Sequence, residues 1–145
     1  MGTGKTVFMI DDDVNLVKVI KMVCEAKGYR FAAAHSAAQG LAMIAQVDPD
    51  VIILDVIMED FVAGFRVVSE LRAAAPDSEF AAFSKVPILM LTSVTAKTDL
   101  DFSERVGTSL LPVDTFVEKP VKPADLLAKI EELLERAVSR GDTPS

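Results

Sequence analysis

The chain has 145 residues, 50% of them hydrophobic, and carries 22 acidic against 15 basic residues for a net charge of −7. That length suits one domain with a sizeable core, and that apolar share excludes a disordered chain. No basic cluster is present, so direct nucleic-acid binding is not expected, and the longest apolar runs (residues 51–54 and 86–91) are too short to cross a bilayer. Cys24 is the only cysteine, so no internal disulfide can form, which fits a reducing, cytoplasmic setting.

In chain order, residues 1–5 read as a lead-in and 6–10 (TVFMI) as a buried strand. Gly4-Lys5 is not a nucleotide-binding loop, because such a loop follows a strand and opens a helix, whereas here a strand comes after it. Met-Gly-x-x-x-Thr at the start also matches a myristoylation pattern, but that needs a eukaryotic enzyme and a free Thr6, which is expected at the start of the strand, so no lipid or membrane attachment is expected. Leu16, Val17, Ile20, Val23 and Cys24 form one face of a first helix that Gly28 ends as a left-handed cap, with Asp13 as its expected N-cap rather than a metal ligand. Residues 29–34 read as a second strand. Ser36 and Gln39 form a capping box for a helix reaching about Val47, and Asp48-Pro49-Asp50 turns the chain into a third strand at 51–54.

A third helix is expected from Gly64 to about Ala74, followed by a long connection in which Phe80 and Phe83 are expected to pack locally. A fourth strand covers 86–91, a polar helix 98–106 and a short fifth strand 114–118. Pro123 opens a last helix whose stripe is Leu126, Leu127, Ile130, Leu133, Leu134 and Ala137, and residues 139–145 read as a polar tail. Strands of unbroken apolar character alternating with helices imply an α/β fold. Specifically, they imply a flavodoxin-like, doubly wound (βα)5 sheet of five parallel strands with helices on both faces, spanning residues 6–138.

In such sheets, ligands sit beyond the carboxyl ends of the strands. Strand one ends in Asp11-Asp12-Asp13, strand three in Asp55, strand four in Thr92-Ser93 and strand five in Lys119-Pro120. Carboxylates brought together repel and need a cation, and an all-oxygen set suits Mg²⁺. A lysine and a hydroxyl beside it suit phosphoryl oxygens. The residues by themselves therefore point to Mg²⁺-assisted phosphoryl chemistry on a carboxylate.

Two families meet that description. IDDD, VIILDVIM, ILMLTS and VEKPV, in that order, resemble the receiver domain of response regulators, the CheY-like phosphoacceptors of two-component signalling. The resemblance implies Asp55 as phosphoacceptor, and Mg²⁺ held by Asp11, Asp12, Asp55 and the Ile57 carbonyl. It also implies Thr92 and Lys119 on the phosphoryl group, and Thr92 and Phe116 as switch residues, although Phe116 alone also reads as core. A sensor histidine kinase or phosphotransfer protein would be the donor, and an unidentified downstream protein the listener. The face built from the polar helix, the fifth strand and the last helix would serve docking or a homodimer. The resemblance implies a signalling phosphoacceptor rather than an enzyme, assisting its own phosphotransfer. Ile57 and Val94, two residues past Asp55 and Thr92, cannot hydrogen-bond a hydrolytic water, so slow self-dephosphorylation is expected. The alternative is a haloacid-dehalogenase-type phosphatase with Asp11 as nucleophile and Asp13 as acid/base, but it gives Asp55 no role and lacks a later strand with an acidic pair. Two departures from the receiver pattern stand out. Met58 is followed by Glu59 instead of proline, and Gly64 lies one residue further from Asp55 than the family places it.

Overall fold

The computed structural model describes residues 4–55, 63–72, 77, 80–83, 85–93, 115–119 and 121–139; at 63–66, 92–93, 115–116, 118–119 and 136–139 it describes the backbone alone. Five strands form one parallel sheet: β1 (Thr6–Ile10), β2 (Arg30–Ala34), β3 (Val51–Asp55), β4 (Ile88–Ser93) and β5 (Thr115–Lys119). Their spatial order is β2-β1-β3-β4-β5. The helices are α1 (Val14–Ala26), α2 (Ala37–Val47), α3 (Ala63–Arg72) and a C-terminal α4 (Pro123–Ser139), with a 3-10 turn at Ala81–Phe83. None is long and apolar enough to cross a membrane among the described residues. The expected polar helix at 98–106 lies outside the described residues.

Strand side chains alternate between faces, and the core divides accordingly. Phe8, Ile10, Ile52, Leu54, Ile88 and Met90 pack with α2 and α3 on one face. Val7, Met9, Val51, Ile53, Leu89 and Leu91 pack with α1 and α4 on the other. Both faces are covered, which is why the strands carry no polar alternation. Phe83 is buried in the first cluster with Phe80 packed against it, so these two aromatics serve packing, as expected. Cys24 is buried on the inner face of α1.

Local chemistry sets the element ends. Asp13 Oδ1 accepts the Leu16 N–H at 3.1 Å and caps α1. Gly28 closes that helix at φ 90°, a conformation that costs glycine nothing. Ser36 Oγ caps α2 by accepting the Gln39 N–H at 3.1 Å, but Gln39 reaches one residue further back than a capping box requires, to the N–H of His35 at 2.8 Å. Asp48 ends α2 in the left-handed region at φ 51°.

Several strand boundaries differ from the sequence expectation: β2 begins at Arg30 rather than Tyr29, and β5 runs one residue later at both ends. β3 runs through Asp55 because Asp55 pairs with Leu91. β4 begins at Ile88 rather than Val86, since Pro87 has no N–H to give a ladder and contributes only its carbonyl, to the Ile52 N–H at 2.9 Å. β4 then continues through Thr92 and Ser93, which pair with Glu118 and Lys119 of β5.

Candidate functional site

From β1 the chain passes to β2 on one side, and later strands are added on the other, so a crevice opens between the carboxyl ends of β1 and β3. The register sets what meets there. Ile10 pairs with Leu54, so the next residues, Asp11 and Asp55, are neighbours across the two strands. Asp11 is fully buried and Asp55 is 4% exposed, while Asp12 faces solvent. One carboxylate oxygen from each of the three lies within 4.8 Å of the others.

Asp11 is held at several points. Its N–H donates to the Ala34 carbonyl at 3.0 Å. Its carbonyl lies 3.2 Å from His35 Nδ1, and since a carbonyl only accepts, the imidazole nitrogen carries the proton of that bond. Its Oδ1 accepts the Asp13 N–H at 2.8 Å. The side chain of Asp13 is turned to the α1 N-terminus and stands apart from the three-carboxylate group. Asp13 is thus the helix cap the sequence suggested, and the acid/base role that the phosphatase alternative gave it conflicts with that use.

The backbones of Thr92 and Lys119 reach the same edge. Thr92 directly follows Leu91, the partner of Asp55, and Lys119 ends β5 opposite Ser93. Phe116 pairs with Met90, deeper in the sheet. The Ile57 carbonyl and the loop carrying Glu59 lie outside the described residues. His35 is the contributor that sequence reasoning missed. It is exposed, but its ring reaches the Asp11 carbonyl. No sequence signal marked it, because the contact joins two chain segments through a backbone atom.

The donor set fits a small hard cation. Three carboxylates supply only oxygen, two of them from buried positions, and the exposed Asp12 leaves a side on which water can complete the shell. No imidazole or thiolate belongs to this group, so it does not suit zinc.

Comparison with known proteins agrees. The family model described as "Response regulator receiver domain" matches residues 7–131. The probable transcriptional regulator ycf27 of Guillardia theta is 31% identical over 136 residues, covering 94% of this chain and 48% of that protein. The DNA-binding response regulator MtrA of Mycobacterium tuberculosis is 28% identical over 130 residues, covering 90% of this chain and 50% of that protein. The chain therefore spans about half the length of these curated relatives. Among solved structures, a CheY-like receiver domain protein of Methanospirillum hungatei superposes with TM-score 0.74 at 25% identity, covering 95% of this chain and 99% of that one. The chemotaxis response regulator CheY4 of Vibrio cholerae does so with TM-score 0.72 at 24% identity, covering 90% and 99%. Nothing in these comparisons favours the phosphatase, and β5 is followed only by a helix among the described residues, not by the acidic strand that a phosphatase needs. The chain belongs to the response regulator receiver domain family, and it is a phosphoacceptor module of two-component signalling.

Proposed function

We propose that Asp55 receives the phosphoryl group, from a phosphohistidine on a sensor histidine kinase or a phosphotransfer protein. The observation that carries this reading is the convergence of Asp11, Asp12 and Asp55 within 4.8 Å at the crevice between β1 and β3. In the transfer, a carboxylate oxygen of Asp55 forms the new O–P bond while the N–P bond to the donor imidazole breaks, and the electron pair returns to that nitrogen. Asp11 and Asp12 would hold Mg²⁺ with Asp55, and the Ile57 carbonyl is assigned to the same shell. The bound ion would supply positive charge against the phosphoryl oxygens as negative charge builds on them. Lys119 is assigned to those same oxygens, and burial of Asp55 keeps bulk water from competing for the nucleophile.

The acyl phosphate carries close to two negative charges where the carboxylate carried one, and it brings three phosphoryl oxygens as acceptors to the strand edge. Thr92 follows the β-ladder partner of Asp55, so its hydroxyl is the group assigned to report the new charge. Phe116, which pairs with Met90 two residues before Thr92, is assigned as the aromatic that changes packing with it. The two then select between packings of the face formed by β5, α4 and the segment before β5, where a downstream protein or a second copy would dock. DNA binding is named for MtrA, a protein of which this chain spans half, and it is not carried over here. Ile57 and Val94, two residues past Asp55 and Thr92, have no side-chain group to orient a hydrolytic water, so self-dephosphorylation should be slow.

The test is incubation with Mg²⁺ and a small acyl phosphate, followed by intact-mass measurement. The expected result is one added phosphoryl group in the wild type and none in Asp55→Asn. A wild type that gains nothing, or an Asp55→Asn chain that still gains one, would refute the assignment. A phosphoprotein half-life of seconds in Mg²⁺ would refute the slow decay. Full switching of partner binding in Thr92→Ala would refute the coupling.

A further inference from the structure

We propose that His35 is a positioning residue for the acidic site, holding the Asp11–Asp12 peptide from the end of β2 so that both carboxylates stay converged on Asp55. The proposal rests on the reading of Asp11 and Asp12 as the holders of a divalent cation.

His35 Nδ1 donates to the Asp11 carbonyl at 3.2 Å. That carbonyl belongs to the peptide plane joining Asp11 to Asp12, so the bond fixes the rotation of the plane from which Asp12 departs. The other end of Asp11 is fixed by Ala34, the last residue of β2, whose carbonyl accepts the Asp11 N–H at 3.0 Å. Ala34 and His35 therefore grip Asp11 on both sides of its Cα.

His35 is anchored in turn. Its N–H donates to Gln39 Oε1 at 2.8 Å, and the Gln39 N–H donates to Ser36 Oγ at 3.1 Å. The N-terminus of α2 thus holds His35, and His35 holds the acidic loop. His35 is exposed, so hydrophobic burial does not account for its placement.

The grip matters because like charges spread when they are free to. Three carboxylates within 4.8 Å repel, and the exposed Asp12 has the most room to swing away. Loss of the His35 bond releases the peptide that limits that swing. The cost appears in cation binding, because the bound state needs the carboxylates converged and the empty state does not. Bonds made from behind a ligand act on metal affinity in this way.

The test uses the full chain, two substitutions and two readouts that do not involve phosphorylation. His35→Leu removes the donor. His35→Asn keeps an amide N–H close to where Nδ1 stands. Mg²⁺ affinity is measured by calorimetry and thermal unfolding is followed in EDTA. A neutral hydrogen bond corresponds to roughly a threefold to tenfold weakening of Mg²⁺ binding in His35→Leu. His35→Asn should stay within about twofold of the wild type, and both variants should melt like the wild type in EDTA to within about 2 °C. Unchanged Mg²⁺ affinity in His35→Leu, or equal weakening in both variants, would overturn the positioning role. A wild type that takes up no Mg²⁺ overturns both the metal reading and the proposal, whereas a wild type that binds Mg²⁺ as tightly as His35→Leu overturns the proposal alone.

Discussion

If the three carboxylates are held together by the fold, the metal-free protein carries a repulsion that can be measured by removing one charge. Asp12 is the right position, because it is exposed and asparagine keeps its shape. At the outer separation of 4.8 Å, one pair of unit charges interacts by about 0.9 kcal/mol at the dielectric of water and about 3.5 kcal/mol at an effective value of 20. The exposed carboxylate of Asp12 sits at the watery end of that range, and it faces two partners. Asp12→Asn should therefore stabilise the metal-free chain by about 1–2 kcal/mol, which for a chain of this size raises the melting temperature by about 3–7 °C. The measurement is thermal unfolding at neutral pH in EDTA and low salt. In 1 M salt the Debye length falls to about 3 Å, inside the carboxylate spacing, so the advantage should shrink. Adding Mg²⁺ should reverse the order of the two proteins. At a hundred times its dissociation constant the ion stabilises the wild type by about 2.7 kcal/mol, more than the advantage of Asp12→Asn, which should gain much less from it. An Asp12→Asn chain that melts at or below the wild type in EDTA at low salt would show that the carboxylates store no repulsion.

A Cβ on Gly40 would stand 2.7 Å from Ile10 Cδ1 and 3.1 Å from Ile10 Cγ1, so Gly40→Val should cost about 2–4 kcal/mol in denaturant unfolding. Gly40→Ala combined with Ile10→Val should be more stable than the two single effects predict, by about 0.5 kcal/mol or more, because the second change removes the atom the first one strikes. Burial, helped by the neighbouring Glu25 charge, pushes the Cys24 thiol up to about 11, so at pH 8 alkylation of the folded chain should run about a hundredfold slower than that of the unfolded chain. The fold thus favours the neutral thiol. Its contribution is fully present below the unfolded value near 9.0 and is lost as pH rises through about 11, so Cys24→Ala should flatten the fall in melting temperature over that window. Asp48 sits at φ 51°, so Asp48→Ala should lose about 1 kcal/mol while Asp48→Gly stays within about 0.5 kcal/mol of the wild type.

The fold was legible in the sequence wherever a single segment carries its own signal. The helix stripe ending in Cys24, the Asp13 and Ser36 caps, the Gly28 terminator and the apolar strand cores are local, and each falls where the pattern put it. Boundaries that depend on a partner strand shifted. Nothing within 51–54 says that Asp55 belongs to the ladder, because Leu91 supplies its pairing. Likewise, the apolar character of Val86 says strand, while the missing N–H of Pro87 delays the ladder to Ile88. The site followed the same division. Its carboxylates were visible because the strand-end rule needs only the list of residues that close each strand.

What the sequence could not show is how firmly those carboxylates are set, and that is decided by bonds running between segments. Asp11 illustrates the point. Register with β3 makes it a neighbour of Asp55, the Ala34 carbonyl takes its N–H, and the His35 ring takes its carbonyl. Two of these three constraints come from the end of β2, a strand that contributes no residue to the acidic group. The order β2-β1-β3 explains the arrangement: β1 lies between β3, which carries Asp55, and β2, whose end supplies the support. Substitutions at the β2–α2 junction should therefore affect cation binding at a site they do not touch. Substitutions of equal severity at the far end of β2, at Arg30, should not, because Arg30 pairs with Thr6 at the opposite end of β1.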